Sequence, residues 1–299
     1  LKKRYQKLKE MKKVVLLALG FAFLCLVGCA GASDSTQTET TTTETTDDNA
    51  SLMEKRKAMV ERYMEYYETG DISMAPPTDG MQVEENLSSR DICFISDLVG
   101  KCKVEVIRLI ADEDAVFAQS RIVVDGSTFI SFDLFIFGDN DNVERWNCVM
   151  GMEKRDPEGK YAVAGEREPK ELEKTEMNKE LIREFTQLGY LDFRPKEELK
   201  RFFDGENLIN HDFQEDGFEW FINEIPMSGV ITDEPVDDLH TIIKGKLLKI
   251  MGAGNLVVGA HVISYLESDV EIIRINLYRV ENGKIVEVWT SEDTLGYVE

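Results

Sequence analysis

Three histidines are the side chains of this chain best placed to trade protons near neutral pH: His211, His240 and His261. Nothing in their spacing suggests a metal site. His211 lies in LINHDFQEDGFEWF (208–221) and is the candidate acid or base, although one titratable group without an orienting partner makes poor catalytic machinery. The aromatic residues beside it, Phe213, Phe218, Trp220 and Phe221, read as the core face of an amphipathic helix, with a cap over a cavity mouth as the alternative. Among the thiols, Cys93, Cys102 and Cys148 are odd in number and show no CxxC spacing, so they read as small buried residues, with one oxidised pair as the alternative. No cofactor motif accompanies them.

Cys29 carries different chemistry. Met11–Cys29 reads MKKVVLLALGFAFLCLVGC, with Lys12 and Lys13 as a positive start, an apolar run from Val14 to Val27, and Leu26-Val27-Gly28-Cys29 at its end. The run is short for a membrane span. It resembles the signal peptide of a bacterial lipoprotein, which implies cleavage before Cys29 and lipid on its sulfur. Residues 1–28 are then the signal, with 11–28 its core and 1–10 either a mis-called start or an extended n-region. Two acyl chains at about 0.8 kcal/mol per buried methylene hold a protein at its membrane, so the expected location is the extracytoplasmic face of the bacterial cell membrane. Residues 29–50, with AGASDSTQTETTTTETTDDNA after the cysteine, have no aromatic or large aliphatic side chain and read as a disordered stalk.

Residues 1–28 hold seven Lys/Arg and one Glu, so without them the formal charge moves from −22 to −28. Binding a phosphate backbone needs clustered Lys/Arg to displace counterions. Nucleic acid is therefore excluded as a partner.

The elements that must position these residues come in two copies. FDLFIFGDNDNVERWN (132–147) is echoed by INLYRVENGKIVEVWT (275–290) at an offset of 143, aligning Leu134 with Leu277, Phe135 with Tyr278 and Trp146 with Trp289. AMVERY (58–63) is echoed by ELIREF (180–185) at an offset of 122. Met59, Tyr63, Tyr66 and Tyr67 fall at helical spacing in one copy, as do Leu181, Phe185 and Leu188 in the other. Asn282-Gly283 predicts a two-residue hairpin turn. Further short helices are expected near Pro195–Phe203, near Asp216–Glu224 and, in the first copy, near Ser88–Leu98. The domain reading is 51–157, a linker at 158–174 with a short strand at Lys160–Ala164, and 175–299.

NKELIREF (178–185), the stretch 208–221 and the closing strands 275–290 resemble the SnoaL-like branch of the nuclear transport factor 2-like superfamily. The second copy carries the closer likeness. The resemblance implies an α+β fold of two tandem cone-shaped domains, each a curved antiparallel sheet packed against N-terminal helices around a cavity. Pairing across Asn282-Gly283 sets Leu277 opposite Val288 and Ile275 opposite Thr290, which puts Ile273, Ile275, Leu277, Val286, Val288 and Thr290 on the cavity face and Asn276, Tyr278, Glu287 and Trp289 on the other. Catalytic relatives carry His and Asp beside the tryptophan. This chain has Val288 and Thr290 there, and Arg145 and Asn147 in the first copy, so the expected base is missing.

The reading is a binding or interaction protein rather than an enzyme, holding a small apolar ligand on His211, Ile275, Leu277, Val288 and Thr290, with Arg145 and Asn147 in the first cavity. The alternative is an isomerase, cyclase or hydrolase using His211. The two copies are expected to pack through their convex faces as an intrachain pseudo-dimer, around Trp146, Trp289, Phe135, Phe137 and Tyr278.

Overall fold

Val60, Tyr63, Met64 and Tyr67 recur at helical spacing, and their burial on one side explains the first element, α1 (Glu44–Thr69). Its polar side exposes Glu61, Arg62 and Glu65, and it ends where Gly70, at φ +69°, turns back to the Tyr66 carbonyl. The helix starts inside the segment expected to be a disordered stalk. A computed structural model describes residues 44–75, 82–87, 98–138, 142–152, 161–211, 216–224, 243–265 and 270–295. The signal, Cys29, most of the stalk, Cys93, Phe213, His240 and all but the last residue of the expected helix at 88–98 lie outside the described residues.

α1 covers one face of a curled sheet of order β1-β5-β4-β3-β2, built from β1 (Gln82–Leu87), β2 (Cys102–Asp112), β3 (Ala115–Val124), β4 (Ser127–Phe137) and β5 (Val143–Met152). β1 runs parallel to β5, and the other neighbours are antiparallel. In the second half, α2 (Thr175–Thr186), α3 (Lys196–Leu199) and α4 (Phe218–Glu224) cover a sheet of order β6-β10-β9-β8-β7. Its strands are β6 (Ile209–Asn210), β7 (Ile243–Ala253), β8 (Leu256–Tyr265), β9 (Val270–Glu281) and β10 (Lys284–Leu295). Here too the first strand is short and lies parallel to the last. The fold class is α+β, two mostly antiparallel sheets each packed on its own helices.

Bulges fall at matching places in the two halves. The first long strands carry one at Val106/Arg108 and at Leu247/Lys249, and the closing hairpins carry one opposite Ile136/Phe137 and at Ile285/Glu287. Asn282 and Gly283, at φ +51° and +70°, make the expected turn between β9 and β10. The bulge behind that turn overturns the expected pairing of β9 with β10, and with it the expected facing of β9. Val288 pairs with Tyr278, and Thr290 with Asn276, while Trp289 pairs with Leu277. One extra residue in a period-two strand moves everything beyond it to the other face.

Alternation then splits the apolar residues into three cores. Phe129, Phe135 and Phe137 of β4 meet α1, and Tyr278, Val280 and Val288 meet Phe185, Phe202 and Phe221 in the second half. The third core lies between the sheets, where Ile107, Phe117, Phe132 and Leu134 face Val258, Ile273, Ile275, Leu277 and Trp289. Lys179 bonds Asp112 at 2.7 Å and Lys249 bonds Asp114 at 2.5 Å across the same boundary. Thr43–Glu299 is thus one compact unit. Residues 161–164, expected as a strand, form a turn closed by Ala164 N–H to the Tyr161 carbonyl at 3.0 Å. Ala162 and Val163 of that turn are buried in the core between the sheets.

Candidate functional site

The helix-facing side of the second sheet is built in cross-strand rows. His261, Arg274 and Glu292 form one row across β8, β9 and β10; Gly259, Asn276 and Thr290 form the next, and Val257, Tyr278 and Val288 the third. α2 ends in a wide turn, Gln187–Leu191, which delivers Tyr190 onto these rows. The Tyr190 ring lies 4.0 Å from that of His261 and 5.7 Å from the Arg274 guanidinium carbon. The Asn276 amide donates to the Tyr278 hydroxyl at 2.8 Å and to that of Tyr190 at 3.3 Å. Arg274 Nε donates to Glu292 at 2.8 Å, and Nη2 reaches the same carboxylate.

This cluster sits out of water, which sets its charges. Burial, then the Arg274 charge, holds the His261 pKa well below its usual value, so its imidazole is neutral. Burial works against charge on Arg274, but Glu292 and Tyr190 outweigh it and raise its pKa. Burial also raises the pKa of Tyr190, and that of Tyr278 far more. Five side chains here keep buried polar atoms without a hydrogen-bond partner among the described residues: Thr186 Oγ1, both His261 nitrogens, Arg274 Nη1, Asn276 Oδ1 and Thr290 Oγ1. Each such group costs about 1–3 kcal/mol when left unpaired. A guest carrying both acceptors and donors would recover that energy.

The sequence reading found Val288 and Thr290 on this side and missed the rest. Ile275 and Leu277, expected here, pack between the sheets instead. The available signal was the strand EIIRINLY, where Arg274 and Asn276 stand two apart in an otherwise apolar run and so share one face. Arg145, Trp146 and Asn147 keep their places in β5 opposite Ile136, Phe135 and Leu134, but their side chains lie outside the described residues. The helix-facing side of the first sheet buries Asp133, which accepts from the Ser131 hydroxyl at 2.6 Å, with the Cys148 sulfur 3.5 Å from the same hydroxyl. Cys102 is buried too, and burial followed by the Glu68 charge pushes its thiol up to about 11, where it is a poor nucleophile.

His211 lies on the opposite side of the second sheet from the polar rows. Its Nδ1 is 2.9 Å from the Tyr161 carbonyl, its Nε2 is 2.6 Å from Glu287, and its ring stacks on Trp289 at 4.6 Å with a 3° tilt. Glu287 also binds Arg279. Burial favours the neutral acid, but the hydrogen bonds from His211 and Arg279 outweigh it and hold the carboxylate below its usual range. Both His211 nitrogens are engaged within the fold, one by the Tyr161 carbonyl and one by Glu287, so neither is free to meet a substrate. Among the described residues no three of His, Cys, Asp and Glu gather as a metal would require, and no helix is long and apolar enough to cross a membrane.

The chain matches no family model and no curated protein. Solved structures similar to part of it include an NTF2-like protein of unknown function from Cytophaga hutchinsonii, at 21% identity over 39% of this chain and 89% of that one, with a TM-score of 0.26. A putative ketosteroid isomerase from Kribbella flavida is 16% identical over 40% and 94%, with a TM-score of 0.27. An LEH-like epoxide hydrolase from M. tuberculosis is 18% identical over 33% and 84%, also at 0.27.

Proposed function

We infer that this protein is a binding module that holds a small molecule against the polar rows of its second half and does not turn it over. The observation that carries this reading is the set of buried, unpartnered polar atoms on Thr186, His261, Arg274, Asn276 and Thr290. A fold that pairs most of its buried polar groups and, among the described residues, leaves five neighbouring side chains short has kept them for something other than stability. The guest has an apolar body, because Val257, Tyr278 and Val288 form the adjoining row and Phe185 and Phe221 lie over it. Its polar end meets Arg274 and Asn276. Arg274 is already neutralised by Glu292, and burial holds the His261 pKa well below its usual value, so the imidazole at this place is a weak base.

The same reading places the module outside the cell on a lipid carried by Cys29, supported by the LVGC ending of the apolar run. The binding test is a small-molecule screen by thermal shift against wild type and Val288→Trp, a side chain that fills the polar rows from β10. Hits should be lost in the variant, and hits retained by a folded Val288→Trp protein would count against this site. For the anchor, Cys29→Ala should move the protein from the membrane to the soluble fraction. A variant that stays as firmly in the membrane as wild type would end the lipid reading.

A further inference from the structure

The segment 161–166 crosses between the two halves, and its carbonyls are gripped from three directions. Arg108 of β2 donates to the carbonyls of Glu166 at 2.6 Å and Ala164 at 2.5 Å. Trp289 Nε1 donates to the same Ala164 carbonyl at 3.0 Å, and the Arg108 guanidinium lies 4.2 Å over the Trp289 ring. His211 on the other side of that ring meets the Tyr161 carbonyl. The strap runs so close to the sheet that a Cβ on Gly165, at φ +87°, would fall 2.2 Å from the Glu287 carboxylate and 2.7 Å from the Trp289 ring.

The hydrogen-bonding inventory of these groups fixes where a proton must be. A carbonyl oxygen only accepts, so His211 Nδ1 must carry a hydrogen toward Tyr161. A neutral imidazole would then present a bare lone pair at Nε2, 2.6 Å from a carboxylate oxygen that also only accepts. That contact is attractive only with a second proton between them, and Arg279 on the other carboxylate oxygen favours the ionised acid. We propose that the proton between His211 and Glu287 is a switch that fastens the strap 161–166 across the two halves and releases it as pH rises.

The charged and titratable groups facing this pair come from every element packed on it. Arg279 of β9 binds Glu287, and Arg108 of β2 stands across Trp289. Tyr161 of the strap packs on His211 and donates its hydroxyl to Asp216 and to the Asn210 carbonyl. Glu166, bonded to Lys170, and Arg167 flank Arg108. With the proton gone, His211 can keep Tyr161 or face Glu287 favourably, but not both. The sign is a strap closed at lower pH and open at higher pH.

Glu287→Gln separates this proposal from a merely structural contact. A glutamine amide can donate to the bare Nε2 of a neutral His211, so the variant holds the strap without the second proton. The measurement is hydrogen exchange of the 161–166 amides in the whole protein, corrected for intrinsic exchange, between about pH 5 and pH 8, the range in which an imidazole ordinarily changes charge. The ring-nitrogen NMR shifts of His211 are followed over the same range in wild type. Wild-type strap protection should fall with pH by up to about tenfold per unit, the limit for one linked proton, in step with the His211 signal passing from doubly protonated to neutral. In Glu287→Gln the profile should be flat. Protection that does not vary with pH in wild type, a fall unchanged in Glu287→Gln, or a folded His211 already neutral at the acid end would each overturn the switch. The wild-type nitrogen shifts decide the matter even where the variant fails to fold.

Discussion

Replacing Thr290 by Val keeps the shape of the side chain and removes a buried hydroxyl that has no partner among the described residues. Where a hydroxyl sits buried and unpaired, its loss relieves a desolvation cost rather than breaking a bond. Thr290→Val should therefore stabilise the ligand-free protein by about 1 kcal/mol in urea unfolding while weakening any ligand held on the polar rows. Destabilisation of that size instead would mean that the hydroxyl is bonded, and would remove one of the five supports of the binding reading. His261 gives the second test at this scale. Its pKa lies well below the ordinary histidine value in the fold, whereas in the unfolded chain it titrates near about 6.5. The unfolded state therefore binds the extra proton first, and the stability that neutral His261 provides is complete above about pH 6.5 and drains away as pH falls toward the folded value. Wild-type stability should drop through this window by up to about 1.4 kcal/mol per pH unit more steeply than that of His261→Phe. Equal slopes would show that His261 does not stay neutral in the fold.

The difference between the legible and the illegible parts of this chain is one residue in one hairpin. The Asn282-Gly283 turn, the apolar faces of α1 and α2 and the doubling of the chain all follow from local patterns. Aligning Trp146 with Trp289 also followed from pattern, but the registers of the two hairpins set the pair one position apart, while Trp289 lies between the sheets as expected. Five residues separate the paired Phe137 and Val143, but only four separate Val280 and Ile285. Trp146 is consequently opposite Phe135, whereas Trp289 is opposite Leu277 and one register position away. No propensity in the sequence marks a bulge at Val286, so parity counted from the turn assigns Asn276 and Tyr278 to the wrong face and hides the polar rows. His211 fails to read for a different reason: its partners Tyr161 and Glu287 are 50 and 76 residues away. The bulge is testable by deletion. Removing Val286 forces residues beyond it either to swap faces or to slip their pairing, taking Trp289 out of the inter-sheet core or Leu277 out of register. The deletion should cost the second half its native packing, seen as loss of near-ultraviolet circular dichroism and of dispersed NMR signals, while Val286→Ala should stay within about 1 kcal/mol of wild type because the side chain is only half-buried. A deletion variant that folds with Trp289 still buried would show that the bulge does not set the register.

At the level of the whole molecule, the core between the sheets makes one cooperative body of two similar halves. Each sheet has an apolar inner face, and among the described residues that face is covered by the other sheet and by the turn at 161–164. Phe132, 1% exposed, meets Phe117 edge-on at 5.4 Å, and both lie in the same core as Leu277 and Trp289. An isolated half would present that apolar face to water. The ion pairs Asp112–Lys179 and Asp114–Lys249 add specificity of docking, although the second is exposed enough on its carboxylate to contribute little energy. Energetic coupling of the halves should therefore come mainly from burial, and truncation in this core should be felt on both sides of it. Phe132→Ala should lower global stability by about 3–5 kcal/mol, the usual cost of emptying a buried phenylalanine site. The informative readout is where the loss is felt. Hydrogen exchange through global unfolding should accelerate by the same factor for the amides of β3 in the first half and β8 in the second, because neither sheet keeps its inner face covered alone. If β8 retained wild-type protection while β3 lost it, the halves would be independent domains in contact, and a strap between them would have nothing to couple.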